Sequence, residues 1–271
     1  MSDARIEPVG EESPTVHDLR PAQRGARGEP RCPLGVCDGS GFLVDEHTNT
    51  ASDCECRAAR IAAARTRGLE GRIPRRYRGV SFDRPPISDL ARSAPDQIQL
   101  VRRYVRTIDQ NLDSGRGIWF WGDVGTGKTT LAMLVSKAAL DAGRSVAIYS
   151  LPRLLNLLRE SLDSPGGLID LLDRLTTVDL LHIDDLGAEN RTDWVMEQLY
   201  SIVNARYEAE RSIVATTNLD PGVRGDDELS PRLGERTVSR LVEICGDPIT
   251  LTGEDQRRQY RVDVALPSRS E

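Results

Sequence analysis

The run Gly122-Asp123-Val124-Gly125-Thr126-Gly127-Lys128-Thr129 satisfies G-x-x-x-x-G-K-[ST], directly after the apolar stretch 117–121 and at the start of a helical pattern. Residues of these types at this spacing bind phosphate. The glycines let backbone N–H groups curl around anionic oxygens, and the positive end of the following helix faces the same charge. Lys128 is expected to reach the outer phosphates of a nucleoside triphosphate and the Thr129 hydroxyl to ligate Mg2+. Thr130 completes the first helical turn of the binding set.

Such a loop calls for an acid at the end of another buried strand. Asp184 and Asp185 follow Leu180-Leu181-His182-Ile183, 56 residues after Lys128. Asp184 is expected to hold Mg2+, directly or through water, and Asp185 to orient and deprotonate the attacking water. Two carboxylates at a strand end also cap helices, and that reading stays open. The interval leaves room for a strand at 145–150 between the two motif strands, as in NTPases that activate water with an acid. Asn218, after Thr216 and Thr217 at the tip of the next apolar run, is placed to fix that water or sense the γ-phosphate, or else is a strand-end turn residue. Arg236 and Arg240, four residues apart, project from one helical face. They suit either an arginine supplied to a neighbouring subunit's ATP or a solvated basic face.

A second chemistry sits near the N-terminus. Cys32-x4-Cys37 and Cys54-x-Cys56 are 16 residues apart, and four thiolates can close a tetrahedral zinc site that stabilises a segment too small for a core. The spacing is looser than paired C-x-x-C, and free thiols or a redox pair are the rival. His47 is a substitute ligand or an exposed loop residue. Residues 57–78 carry eight arginines against one glutamate. They suit a nucleic-acid backbone, an acidic partner or a solvated helix face, and Tyr77 is their one aromatic.

The elements that must position these groups follow from periodicity. Short apolar runs at 117–121, 145–150, 179–184, 212–218 and 247–252 read as strands buried on both faces of a parallel sheet. Helical patterns lie between them at about 127–142, 151–162, 167–176, 191–209 and 231–244. Five strands alternating with helices predict a three-layer α/β sandwich. Residues 1–30 read as a disordered tail, 31–56 as the knuckle, 57–78 as a basic helical linker and 79–271 as the ATPase domain. His182, inside an apolar strand, is expected to be a core histidine, and Cys245 to be buried.

Composition bounds the rest. With 271 residues, 38% hydrophobic and 29% charged, the chain can bury a core, and its net charge of −6 gives no global case for nucleic-acid binding. No run reaches the length of a membrane helix and the first residues lack an apolar signal, so a cytoplasmic protein is expected. Of 36 basic residues only two, Lys128 and Lys137, are lysines.

RIPRRYRGVSFD, GDVGTGKTTLA, HIDDLGAE, ATTNL and LGERTVSRL, in that order over about residues 72–262, resemble the AAA+ helicase loaders of the DnaC/DnaI type and the related IstB ATPases. The resemblance implies ATP-dependent remodelling of a DNA-bound partner, usually the replicative helicase placed on single-stranded DNA. It further implies an ATP-dependent homo-oligomer, no membrane, Lys128 and Thr129 as Walker A, and Asp184 and Asp185 as Walker B. Asn218 falls on sensor 1, Arg240 on the arginine finger with Arg236 beside it, and Ile73, Pro74 and Tyr77 near adenine. The cysteine segment resembles one found ahead of the ATPase in some loaders. Only about twenty residues follow strand 247–252, so the helical lid is expected to be absent or truncated. A sensor 2 arginine, at Arg257 or Arg258, is left open. An IstB-like transposition helper and a non-hydrolysing ATP-gated adaptor are the competing functions.

Overall fold

Residues buried on both faces of a sheet need two covering layers, and the five apolar runs receive them. The computed structural model describes residues 32–45, 48, 50–65, 69, 72–188, 192–220, 229–253 and 255. The tail 1–30, His47, Arg257 and Arg258 lie outside the described residues.

In the larger unit, which begins at Arg57, strands β3 (Ile118–Gly122), β4 (Val146–Ser150), β5 (Leu180–Leu186), β6 (Ser212–Thr217) and β7 (Ile249–Leu251) form one parallel sheet. Its order is β4-β5-β6-β3-β7. In the sheet, therefore, β6 separates the two motif strands β3 and β5. The strand expected between them, β4, lies at the edge beyond β5. Its crossover covers the sheet and returns outside β5, a topology that chain order alone does not specify.

Side-chain alternation divides the strands between two cores. Ile118, Phe120, Val146, Ile148, Leu180 and Val214 pack against α2 (Ile87–Ser93), α3 (Pro95–Arg106), α4 (Ile108–Asp113) and α5 (Lys128–Asp141). Trp119, Ala147, Tyr149, Leu181, Ile183, Ile213 and Ala215 face the opposite layer. That layer holds α6 (Leu151–Ser161), α7 (Gly167–Thr177), α8 (Asp193–Glu208), α9 (Leu229–Leu233) and α10 (Glu235–Cys245). The three-layer α/β sandwich is the expected one. Each fully buried Leu or Ile contributes roughly 1.5–3 kcal/mol.

Two departures have local causes. The sequence reading gave residues 87–113 no element, yet three helices occupy them. Ile98 and Val101 are buried and Val105 packs beside them, an i, i+3, i+7 stripe on α3. The helix expected at 231–244 is divided by Gly234, whose φ of 87° and ψ of 139° interrupt the helix between α9 and α10.

In the smaller unit, β1 (Phe42–Asp45) and β2 (Thr50–Asp53) pair as an antiparallel hairpin. The basic segment opens with α1 (Cys56–Arg65) and includes a 3-10 turn at Arg75–Tyr77. Among the described residues no helix is long and apolar enough to cross a membrane.

Candidate functional site

The phosphate loop joins β3 to α5. Gly122 has φ 146°, and a Cβ there would meet the Leu251 carbonyl oxygen at 1.8 Å, so only glycine lets the loop leave the sheet beside β7. Gly127 caps α5 at φ 96° and its carbonyl accepts the first helical bond, from Leu131 N–H at 3.0 Å. The first-turn N–H groups of α5 thus have no helical acceptor. The Thr126 hydroxyl braces the loop on the Asp123 carbonyl at 2.8 Å. Lys128 is buried, its Nζ donating to the carbonyls of Gly122 (2.8 Å) and Asp123 (2.6 Å). The ammonium is thus folded back over its own loop.

The acids meet this loop from β5. Thr129 Oγ1 donates to Asp184 Oδ1 at 3.0 Å, and Thr216 Oγ1 donates to the same oxygen at 2.6 Å. Behind them His182 is fully buried, with Nδ1 sharing a 2.8 Å hydrogen bond with Ser136 Oγ and Nε2 4.0 Å from Asp184 Oδ1. Burial pushes the imidazole down to about 3, so it is neutral, as expected of a core histidine. Asp185 turns into the left-handed region at φ 59°.

A cleft of about 700 Å³, a size suited to a nucleotide, opens at this loop. It is lined by Val124, Gly125, Gly127, Lys128, Thr129 and Thr130 of the loop and α5, together with Asp185 and the exposed Asn218. Arg76, Tyr77, Gly79, Val80, Arg84, Pro85 and Pro86 complete the lining. Tyr77 lines the cleft, and both Tyr77 and Ile73 pack against the α5-side core, with Pro74 at the start of the 3-10 turn. Arg84 and the two prolines were missed; the signal available was the stiff Pro-Pro pair following RRYRGVSFDR.

Arg236 and Arg240 do not reach this cleft. They line a separate hollow on α10 with Tyr200, Glu235 and Ser239. Arg240 stacks 4.1 Å over the Tyr207 ring and binds both carboxylate oxygens of Glu243, at 2.9 and 3.0 Å. Cys245 is half-buried, its thiol donating to the Ile213 carbonyl at 3.5 Å, and burial pushes its pKa far up.

In the small unit the hairpin register pairs Phe42 with Asp53, and Cys54 N–H extends the ladder to the Gly41 carbonyl at 2.9 Å. The hairpin and the residues leading into it thereby take up the 16-residue interval, and Cys54 and Cys56 return to Cys32 and Cys37. All four sulfurs lie within 4.8 Å of one another, with Cys32–Cys54 at 3.9 Å and Cys37–Cys56 at 3.5 Å. A tetrahedron of Zn–S bonds of 2.3 Å has edges of about 3.8 Å, so the donor set fits zinc. The backbone N–H groups, foremost that of Cys37, draw the Cys32 thiol down to about 6, while burial among the other thiols pushes Cys56 up to about 12.

The sequence profile of the family described as IstB-like ATP binding protein matches residues 99–262. The chain is 30% identical over 166 residues to the replicative helicase loader DnaC of Buchnera aphidicola subsp. Schizaphis graminum, covering 60% of this chain and 63% of that one. It is 26% identical over 186 residues to the replicative helicase loader DnaI of Bacillus subtilis strain 168, covering 66% and 58%. The chain thus spans about 60% of the length of these curated relatives. The crystal structure of the DnaC helicase loader superimposes with a TM-score of 0.55 at 28% identity, over 67% of this chain and all of that one. With a family match over more than half of its residues and this fold, the chain belongs to the IstB-like ATP-binding family, as an AAA+ protein of the DnaC/DnaI type.

Proposed function

We propose that the chain is an ATP-hydrolysing AAA+ protein that loads or remodels the replicative DNA helicase on single-stranded DNA during replication. The observation that carries this reading is the convergence of Lys128, Thr129 and Asp185 on one cleft, with Asp184 bonded to Thr129, in a chain whose curated relatives are named replicative helicase loaders.

The loop from Gly122 to Thr130 cradles the ATP phosphates. Lys128 exchanges its carbonyl partners for the outer phosphates, and Thr129 and Asp184 hold Mg2+, which neutralises phosphate charge when bound. Asp185 takes the proton of the attacking water, and Asn218 orients that water. Tyr77 and its neighbours hold the base. Arg236 and Arg240, remote from their own cleft, complete the ATP site of a second copy, so turnover is slow until copies assemble. Arg240→Ala should leave ATP affinity within a few-fold while lowering assembled turnover by about 10³.

Cys32, Cys37, Cys54 and Cys56 hold a structural zinc, and this knuckle with the arginine-rich segment 57–78 engages the helicase or DNA in the cytoplasm. The test uses the full chain with the host's replicative helicase and single-stranded DNA, reading ATP turnover, capture and helicase placement. Stimulated turnover, with helicase capture lost on deleting residues 1–78, is the expected result. Capture of a transposase instead identifies the transposition helper. ATP-dependent capture without turnover identifies the non-hydrolysing adaptor.

A further inference from the structure

Consecutive side chains of a strand point to opposite faces, so two adjacent acids cannot both serve one ligand while the strand stays regular. Asp184 shares its face with His182 and Leu180, toward α5. Regular alternation would send Asp185 with Leu181 and Ile183 into the α8 core. It lines the cleft instead.

The register shows how. Ile183 pairs with Ala215 and Leu186 with Thr217, leaving Asp184 and Asp185 together opposite Thr216. This is a one-residue bulge, and bulges re-aim side chains. Ile183 and Leu186 are three apart, yet both lie in the same core, as one inserted residue demands. Asp185 is that residue, with φ 59°, a conformation that costs a non-glycine residue energy unless its surroundings hold it.

The holder is Thr216. It is fully buried; its hydroxyl proton goes to Asp184 Oδ1 at 2.6 Å and its oxygen accepts Asp185 N–H at 2.9 Å. One hydroxyl therefore fixes the carboxylate of the first acid and the backbone of the second. We propose that Thr216 is a positioning residue for ATP hydrolysis, holding the bulge that gives the tandem acids separate tasks. It rests on the proposed ATPase reading and adds to it a buried residue that is not among those lining the cleft.

The test compares Thr216→Val, which keeps shape and removes the hydroxyl, with Thr216→Ser, which restores it. ATP affinity, Mg2+ dependence of that affinity, turnover and thermal melting are measured on the full chain. Expected for valine is a 10–100-fold fall in kcat and about a 10-fold higher Mg2+ requirement, KM for Mg-ATP at saturating Mg2+ moving less than about 3-fold, with serine recovering most of both losses. Valine matching the unaltered chain in turnover and Mg2+ dependence overturns the proposal. So does a joint collapse of melting, binding and turnover that serine fails to rescue, which marks Thr216 as structural only. If the unaltered chain does not hydrolyse ATP, the ATPase reading itself fails, and the Mg2+ titration then decides the role of Thr216 alone.

Discussion

Thr129 Oγ1 and Asp184 Oδ1 are hydrogen-bonded at 3.0 Å across 55 residues of sequence, tying the first turn of α5 to the end of β5. The bond joins the residue after the loop lysine to the first of the tandem acids. On the proposed function, these are the two oxygens that would hold Mg2+.

That arrangement separates binding from turnover. Lys128→Ala removes the buried ammonium and should weaken ATP binding by at least about 10²-fold, since a charge-assisted bond of 1.5–3 kcal/mol to each of two phosphates is lost. Asp185→Asn keeps the shape of the cleft and should leave affinity within a few-fold while lowering kcat by 10²–10⁴, the usual worth of a general base. Isothermal titration beside steady-state turnover checks both. Normal turnover in Asp185→Asn would remove it from the base role.

Arg206 is a fully buried charge on α8. Its Nη1 donates to the carbonyls of Leu175 (2.6 Å), Val178 (3.1 Å) and Thr176 (3.4 Å), and its Nη2 to Ser212 (2.6 Å) and Asp179 (3.3 Å). Burial lowers its pKa to about 9, still charged at neutral pH. Arg206→Met strands several carbonyls at the end of α7 and the starts of β5 and β6. It should destabilise the fold by roughly 3–5 kcal/mol in urea unfolding. A loss below about 1 kcal/mol would mean the carbonyls find other partners.

Arg144 binds Asp113 at 2.6 and 3.2 Å and Asp109 at 2.6 Å, clamping α4 to the end of α5. The Arg144 hydrogen bond holds the Asp113 carboxyl below the usual aspartate range. A depressed acid stabilises the fold above its unfolded pKa, near 3.9, and loses that contribution as pH falls through the folded value. Because Asp113 is 64% exposed, the effect is screened. Arg144→Ala should cost less than about 1 kcal/mol at pH 7. The gap to the unaltered chain should begin to narrow as pH falls below about 4 and go on narrowing through the folded value. A gap that does not narrow at all between pH 5 and pH 3 would assign the loss to packing of the arginine stem.

Metal removal tests the small unit. The unaltered chain should carry one zinc per chain by elemental analysis, and Cys54→Ser should lose it. Mg-ATP affinity should stay within about 2-fold, since the described residues that line the cleft, from Arg76 to Asn218, all belong to the larger unit. Zinc retained at full stoichiometry in that variant would remove Cys54 from the ligand set.

The five strands β3 to β7, most of the helices that cover them and the phosphate loop are legible in the sequence alone. Their signals are local: alternating or helical burial within a dozen residues, and a glycine pattern that fixes backbone geometry over eight. Arg206 was missed, although it follows Leu199, Ile202 and Val203 by seven, four and three residues and so shares the buried face of α8. Tertiary structure alone decided the order of strands, which sets β6 between the motif strands and brings Thr216 opposite both acids. It also decided the bulge that turns Asp185 into the cleft and the hairpin that gathers four unevenly spaced cysteines. These relations join residues 30 or 20 positions apart, and their register follows from which packing buries both sheet faces, a free energy of the whole fold that no short window of sequence contains.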